Sequence, residues 1–257
     1  MNISIQQAAS SIQAYEQWHE TIAGNLSAAS VPGYKASKFS MVSENINGQN
    51  QEALAASSAI MKGYEMPGAM RRLDFTAGPL KHTETPTDIA IQGDGFFEIE
   101  LPGGELGYTR DGEFHINELG ELVTKQGYPV LGANGAPITF QADTGLNFTI
   151  GHNGQVSENG VFDGQTVRVV RVADTSGLQD AGGGLFTVAD PNIAQPTPLI
   201  EGEIALQQFH LEQSNVSTIR EMTQMIQAMR SSELNHQVIR HYDQRLGKTI
   251  ADLGQPL

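Results

Sequence analysis

The side chains that could do acid–base or metal chemistry in this chain are seven histidines and twenty-nine acidic residues, and their spacing organises none of that chemistry. His236 and His241 are five apart, which does not put two imidazoles on one helical face as an i, i+4 zinc pair requires. Asp111-Gly112-Glu113 and Asn117-Glu118-Leu119-Gly120-Glu121 offer oxygens without the spacing of a calcium loop, and read as hairpin turns. Gln92-Gly93-Asp94-Gly95-Phe96-Phe97 lacks the third glycine and the lysine of a phosphate cradle and opens no helix. It reads as a tight hairpin turn, glycine supplying positive φ and Phe96 or Phe97 facing the core. No Gly-x-Ser-x-Gly elbow is present, and the carboxylates are too dispersed to nominate an acid and a base. The expectation is a protein that is not an enzyme, with no catalytic, cofactor-binding or metal-ligating residues and no cofactor.

Composition narrows the partners. A formal charge of −14 on 257 residues argues against nucleic acid and anionic membrane, both of which need clustered Lys and Arg to neutralise phosphates. No apolar stretch is long enough to cross a bilayer, so direct membrane insertion is not expected. There is no cysteine, hence no disulfide or thiolate metal site. Met1 to Ser10 show no basic region followed by an apolar run, so no Sec signal is expected; a cytosolic life and an uncleaved export route both remain open.

The elements that would position these residues are helices at the two ends and strands between. Ile5, Ala8, Ile12, Tyr15, Ile22, Leu26 and Ala29 recur at helical spacing until Val31-Pro32-Gly33 stops the helix, near Ser30. Ile219, Met222, Ile226, Met229, Leu234, Val238, Tyr242, Leu246, Ile250 and Leu253 repeat that character, with Ser214 or Asn215 as the expected cap and Gly247 as a weak point. Strands are predicted at 88–92, 95–100, 106–109, 113–116, 121–124, 147–150, 166–173 and 204–210. Asp180 to Gly184 reads as a mobile loop and Asp190 to Pro198 as an extended linker.

The expected organisation is thus 1–35 N-terminal helix, 36–63 connector, 64–210 central β-rich domain and 211–257 C-terminal helix. The fold class is α+β: a central, mainly antiparallel β domain flanked by long N- and C-terminal α-helices that pair in a coiled-coil-like bundle. Neither stripe can bury its apolar face alone. Each must meet the other, the β domain, or another subunit.

Several segments resemble one family in order and spacing. Asn25-Leu26-Ser27-Ala28-Ala29-Ser30-Val31-Pro32-Gly33-Tyr34-Lys35-Ala36 is similar to the N-terminal signature of bacterial flagellar hook and basal-body rod proteins, in which a Gly-aromatic-basic triplet follows an Asn-Leu-Ala-Asn run; Ser27 and Ala28 depart from that run. Gly78-Pro79-Leu80, Thr85 to Phe97, Tyr108-Thr109-Arg110-Asp111-Gly112 and Gly127-Tyr128-Pro129-Val130-Leu131-Gly132 match the middle. Leu211-Glu212-Gln213-Ser214-Asn215-Val216, then Glu221-Met222 and Met225 to Arg230, resemble the C-terminal signature.

The resemblance implies a structural subunit of the basal-body rod. Such a subunit leaves the cell through the flagellar type III export apparatus without a cleaved signal and polymerises by its terminal helices in the periplasm. There, with copies of itself and other rod or hook subunits, it forms the hollow drive shaft that transmits torque. On that reading the assembly interface is Ile5, Ile12, Tyr15, Ile22, Leu26, Ile219, Met222, Ile226, Leu234, Val238 and Leu246, an ordinary core role being the plainer alternative for each. Lys35, Arg71, Arg72 and Arg110 are expected at the solvated surface or in intersubunit pairs. The runner-up function is a secreted β-rich adhesin or carbohydrate-binding module. Against it, the only tryptophan is Trp18, in a helix, and just 7% of residues are aromatic, too few for a sugar-stacking platform.

Overall fold

The computed structural model describes residues 3–45, 65–140, 148–200 and 202–253. They fall into two compact units: Met1–Ser27, Ser37–Arg72 and Ser217–Leu257 form one, Ala28–Ala36 and Leu73–Val216 the other. Most of the expected connector, 46–63, lies outside the described residues.

The first unit holds α1 (Ile3–Ser27), α2 (Thr218–Leu253) and a two-stranded sheet of β1 (Ser37–Asn45) and β2 (Glu65–Leu73). Ala8, Ala9, Ala14 and Ala23 suit α1 because alanine loses no side-chain entropy in a helix. The helix stops at Ser27, before the Ser30 expected from sequence; the Ser27 hydroxyl donates to the Gly24 carbonyl at 2.9 Å. Trp18 stacks on Phe39 of β1, centroids 6.1 Å apart and planes 13° from parallel, fastening strand to helix. At the start of α2, Ser217 offers its carbonyl to the Glu221 N–H at 2.9 Å.

The β unit is antiparallel throughout its described pairings. Its largest sheet has six strands, in the order β13 (Leu178–Gly182), β14 (Leu185–Val188), β6 (Leu106–Thr109), β5 (Phe96–Glu100), β12 (Val169–Val172), β15 (Pro196–Pro198). Three strands, β9 (Phe148–Ile150), β10 (Gln155–Glu158) and β11 (Val161–Thr166), form a second sheet. Three further pairs complete the unit: β3 (Leu80–His82) with β17 (His210–Glu212), β4 (Ile89–Ile91) with β16 (Leu206–Gln208), and β7 (His115–Ile116) with β8 (Leu122–Val123).

Alternation along the central strands builds two cores. Successive side chains of a strand point to opposite faces, so Phe97 and Val169 enter one cluster with Ile89, Ile99, Leu122, Val130 and Ile138, while Phe96 and Val170 enter another with Tyr108 and Phe186. Both faces of β5 and β12 are therefore largely covered, although Glu98 and Arg171 interrupt their apolar residues. Both phenylalanines of the Gly93–Phe97 segment are buried. Gly93 and Gly95 do take positive φ, 107° and 147°. The segment is nevertheless a bend between sheets rather than the expected hairpin turn, because β4 pairs with β16 and β5 with β6 and β12. At Gly112 a Cβ would lie 1.6 Å from the Ile89 carbonyl oxygen, so this glycine is set by close backbone approach.

Other expectations need correcting. The chain is mostly β-sheet, with seventeen strands and only two α-helices among the described residues, one at each end. It is not a β domain flanked by long helices paired in a coiled-coil-like bundle; α+β holds only in the loose sense that both element types occur. Six apolar side chains of α2, Ile219, Met222, Ile226, Met229, Leu234 and Val238, are exposed, so most of the stripe read from the sequence is left in solvent rather than packed on α1. The supposed mobile loop Asp180 to Gly184 is the turn of the β13–β14 hairpin, and the supposed linker Asp190 to Pro198 buries Ala194 and supplies the edge strand β15. Proline is tolerated in β15 because an edge needs no donor on its outer side.

Candidate assembly surface and a buried charged junction

On α2 the usual sorting of side chains is inverted. Ile219 is 79% exposed, Ile226 53% and Leu234 61%, and Met222, Met229 and Val238 are exposed with them. The buried positions are Glu221 and Ala228, seven residues apart and so on one side of the helix, nearly opposite Ile219 and Ile226. Asn25 of α1 explains Glu221: its Nδ2 donates to Glu221 Oε2 at 3.2 Å and to the Ser37 carbonyl at 2.8 Å, and its Oδ1 accepts from the Ser37 N–H at 2.8 Å. One amide thereby ties α1, the start of β1 and the first turn of α2 together through polar contacts.

The expected assembly residues on α1 fare differently. Ile22 is buried, whereas Ile12, Tyr15 and Leu26 are half-buried. Tyr15, Glu16 and His19 face Met229, Glu233 and His236 across a groove of about 590 Å³. The side chains of Ile5 and Leu246 lie outside the described residues.

In the β unit the structure brings together Glu212 and two residues, Lys35 and Arg110, that sequence reasoning left at the surface or in intersubunit pairs. Lys35 and Glu212 are each 1% exposed and Arg110 4%. Lys35 Nζ donates to Glu212 Oε1 at 2.6 Å and to the Thr76 carbonyl at 2.9 Å, and Arg110 Nη1 donates to Glu212 Oε2 at 3.1 Å. The Gly78 N–H adds a donor to Glu212 Oε1 at 2.8 Å, and the Gly33 N–H donates to the Glu212 carbonyl at 2.7 Å. Arg110 also lies over the Phe96 ring, 5.3 Å from its centroid.

Asn215, expected as a helix cap, belongs to the same fastening. Its Oδ1 accepts from the Ala36 N–H at 2.8 Å and its Nδ2 donates to the Asp74 and Thr76 carbonyls at 2.8 and 3.0 Å. Ser214 accepts from the Val216 N–H, closing a local turn ahead of the helix. Burial pulls the Lys35 ammonium and the Arg110 guanidinium below their ordinary values, against the opposing pull of Glu212.

The expected surface role for Lys35 and Arg110 is therefore wrong: a lone carboxylate between two cations holds both inside. Arg71 and Arg72 are exposed. A signal was present in the sequence, since Lys35, Arg110 and Glu212 each sit inside a different one of the motifs quoted above. Nothing in the spacing says that they meet.

Other buried ionisable groups lack catalytic company. Asp111 is pushed up to about 6, chiefly by burial, although it accepts from the Glu113 N–H at 3.0 Å and Lys125 pulls the other way. Burial, then the nearby Glu98 carboxylate, pushes Tyr108 up to about 12. Glu98 is itself raised by burial and pairs with Arg168 at 3.2 Å. Among the described residues no group of three or more His, Cys, Asp or Glu side chains could hold a metal ion, and no described helix is long and apolar enough to cross a membrane.

Residues 90–158 match the family model described as flagellar hook protein FlgE/F/G D1 domain, and residues 207–253 match that of the flagellar basal body rod FlgEFG protein C-terminal region. The chain is 34% identical over 254 residues to the flagellar basal-body rod protein FlgG of Borreliella burgdorferi, covering 93% of this chain and 94% of that one. It is 32% identical over 244 residues to FlgG of Buchnera aphidicola subsp. Schizaphis graminum, with 88% and 90% covered. It is 31% identical over 262 residues to the flagellar basal-body rod protein FlgF of Rhizobium meliloti, with 99% of each covered. The chain belongs to the flagellar basal-body rod protein family. These matches lend no support to the adhesin or carbohydrate-binding alternative.

Proposed function

We propose that this chain is a structural subunit of the bacterial flagellar basal-body rod, and that the outward face of α2 is where neighbouring rod or hook subunits pack. The observation that carries the reading is the inverted helix: Ile219, Met222, Ile226, Leu234 and Val238 face out while Glu221 and Ala228 face in. Burying apolar surface is worth about 25 cal/mol per Å², so a stripe of this length left in water favours association. Half-buried Ile12, Tyr15 and Leu26 on α1, with Ile5 and Leu246, are assigned to the same interface, and Ile22 to the support beneath it.

The subunit acts mechanically, carrying torque through packed side chains, and does no catalysis of its own. Export by the flagellar type III apparatus without a cleaved signal, ahead of assembly in the periplasm, completes the proposal. The absence of cysteine suits such travel, since no disulfide must form on arrival. The test is Ile226→Asp in the flagellated cell. A charge buried in an apolar contact without a partner costs several kcal/mol, so the variant should be exported yet leave cells non-motile with incomplete rods. Normal swimming would remove α2 from the interface.

A further inference from the structure

We infer that His82 and His210 form a two-imidazole site for a late first-row divalent cation such as Zn²⁺. The two residues are directly opposite each other in the antiparallel β3–β17 register. Their ring centroids are 4.9 Å apart, with the planes at 61°. With a metal–nitrogen bond of about 2.05 Å and a ring nitrogen about 1.1 Å from its centroid, each centroid sits about 3.2 Å from a shared ion. With one nitrogen of each ring turned to a shared ion, the 4.9 Å spacing would correspond to an N–metal–N angle of about 100°, between the square-planar and tetrahedral values these cations adopt.

The hydrogen bonding of His210 fixes which of its ring nitrogens is free. Its Nδ1 lies 2.9 Å from the Gln208 carbonyl oxygen. A carbonyl only accepts, so Nδ1 carries the proton and Nε2 of the neutral ring presents a lone pair. Histidines that bind metals characteristically have the other ring nitrogen engaged in this way, which fixes tautomer and ring orientation. His82 is exposed, leaving the ion open to water at its other positions.

The backbone holds the pair in place. Phe209, beside His210, takes φ 61°, a left-handed conformation that a bulky residue seldom adopts. Both of its polar groups are tied down, the N–H donating to the Asp88 carbonyl at 2.8 Å and the carbonyl accepting from the Thr83 N–H at 2.7 Å. A bound ion would cross-link β3 to β17, the strand that ends at Glu212.

The experiment is a Zn²⁺ titration of the full-length protein, following histidine ring resonances by NMR and the thermal midpoint in parallel. The His82 and His210 rings should shift together and saturate at one Zn²⁺ per chain, with a rise in midpoint because the ion binds only the folded register. His82→Gln and His210→Gln should each weaken binding at least about tenfold and abolish that rise. Either variant binding Zn²⁺ as the parent does, or the two rings responding at different Zn²⁺ concentrations, would overturn the site. His82→Gln alters an exposed side chain, so the comparison survives even if His210→Gln disturbs folding.

Discussion

In the β unit Lys35, Arg110 and Glu212 are buried together and the large apolar side chains of β5 and β12 face two cores, whereas along α2 the buried positions are Glu221 and Ala228 and the large apolar side chains face out. Each arrangement follows from what is available to touch. The Glu212 carboxylate has two cations and the Gly78 N–H donor around it, which offset the cost of removing its charge from water. Ile226 is instead 53% exposed. The β unit is finished by its own contacts; the outward face of α2 is the one we propose another subunit finishes.

Glu212→Leu probes that difference where its effect is largest. It leaves two buried cations without their carboxylate, and breaking a buried charge pair in this way costs about 3–5 kcal/mol. Chemical denaturation of the isolated chain should show a loss of that size. A triple variant with Lys35 and Arg110 also replaced by methionine should recover much of it, since well-packed apolar side chains often substitute for a buried ion cluster. A full loss in the triple variant would mean that the Gly78 N–H bond to the carboxylate, rather than its pairing with Lys35 and Arg110, fastens the unit.

Asp111→Asn acts in the opposite direction and more weakly. Its folded value of about 6 lies above the 3.8 of the free group, so the folded protein binds the proton more tightly than the unfolded chain. Stability from this residue is present below pH 3.8 and is lost as pH rises through about 6. Above that range the buried charge is a penalty, and asparagine removes it while keeping an acceptor for the Glu113 N–H. The variant should be more stable than the parent by about 1–3 kcal/mol at pH 7.5 and by nothing measurable near pH 3. An advantage that is flat with pH would show that Asp111 is not the group responsible.

The smallest expected change in stability carries the sharpest consequence for the comparison. Ile226→Ser, at an exposed position, should alter the unfolding free energy of the monomer by no more than about 0.5 kcal/mol, yet weaken association and motility. If it lowers monomer stability as much as Glu212→Leu does, α2's apolar face is covered within the chain and the two units are not opposites after all.

The strands predicted at 88–92, 95–100, 106–109, 113–116, 121–124, 147–150, 166–173 and 204–210 each overlap an observed strand and were legible because local apolar content marks a strand with a buried face. β10, β11, β13 and β14 were not, being short, glycine-rich or exposed: β11 is Val161-Phe162-Asp163-Gly164-Gln165-Thr166, which alternates poorly and buries little. The stripe on α2 was legible as well, and its residues are those that now define the candidate surface. Only the tertiary structure shows that this stripe turns outward while Asn25 claims the other side.

By itself, then, the sequence determined the helix at each end, the turn-rich antiparallel middle, the motifs that relate this chain to rod proteins, and the lack of any spacing suited to catalysis. The tertiary structure decided which charges are buried, which helix face is free, and that His82 meets His210. The physical reason is the same in each case. Periodicity and turn chemistry are local and are written over a few consecutive residues, whereas Lys35 reaches Glu212 and His82 faces His210 only because strand register brings distant parts of the chain together.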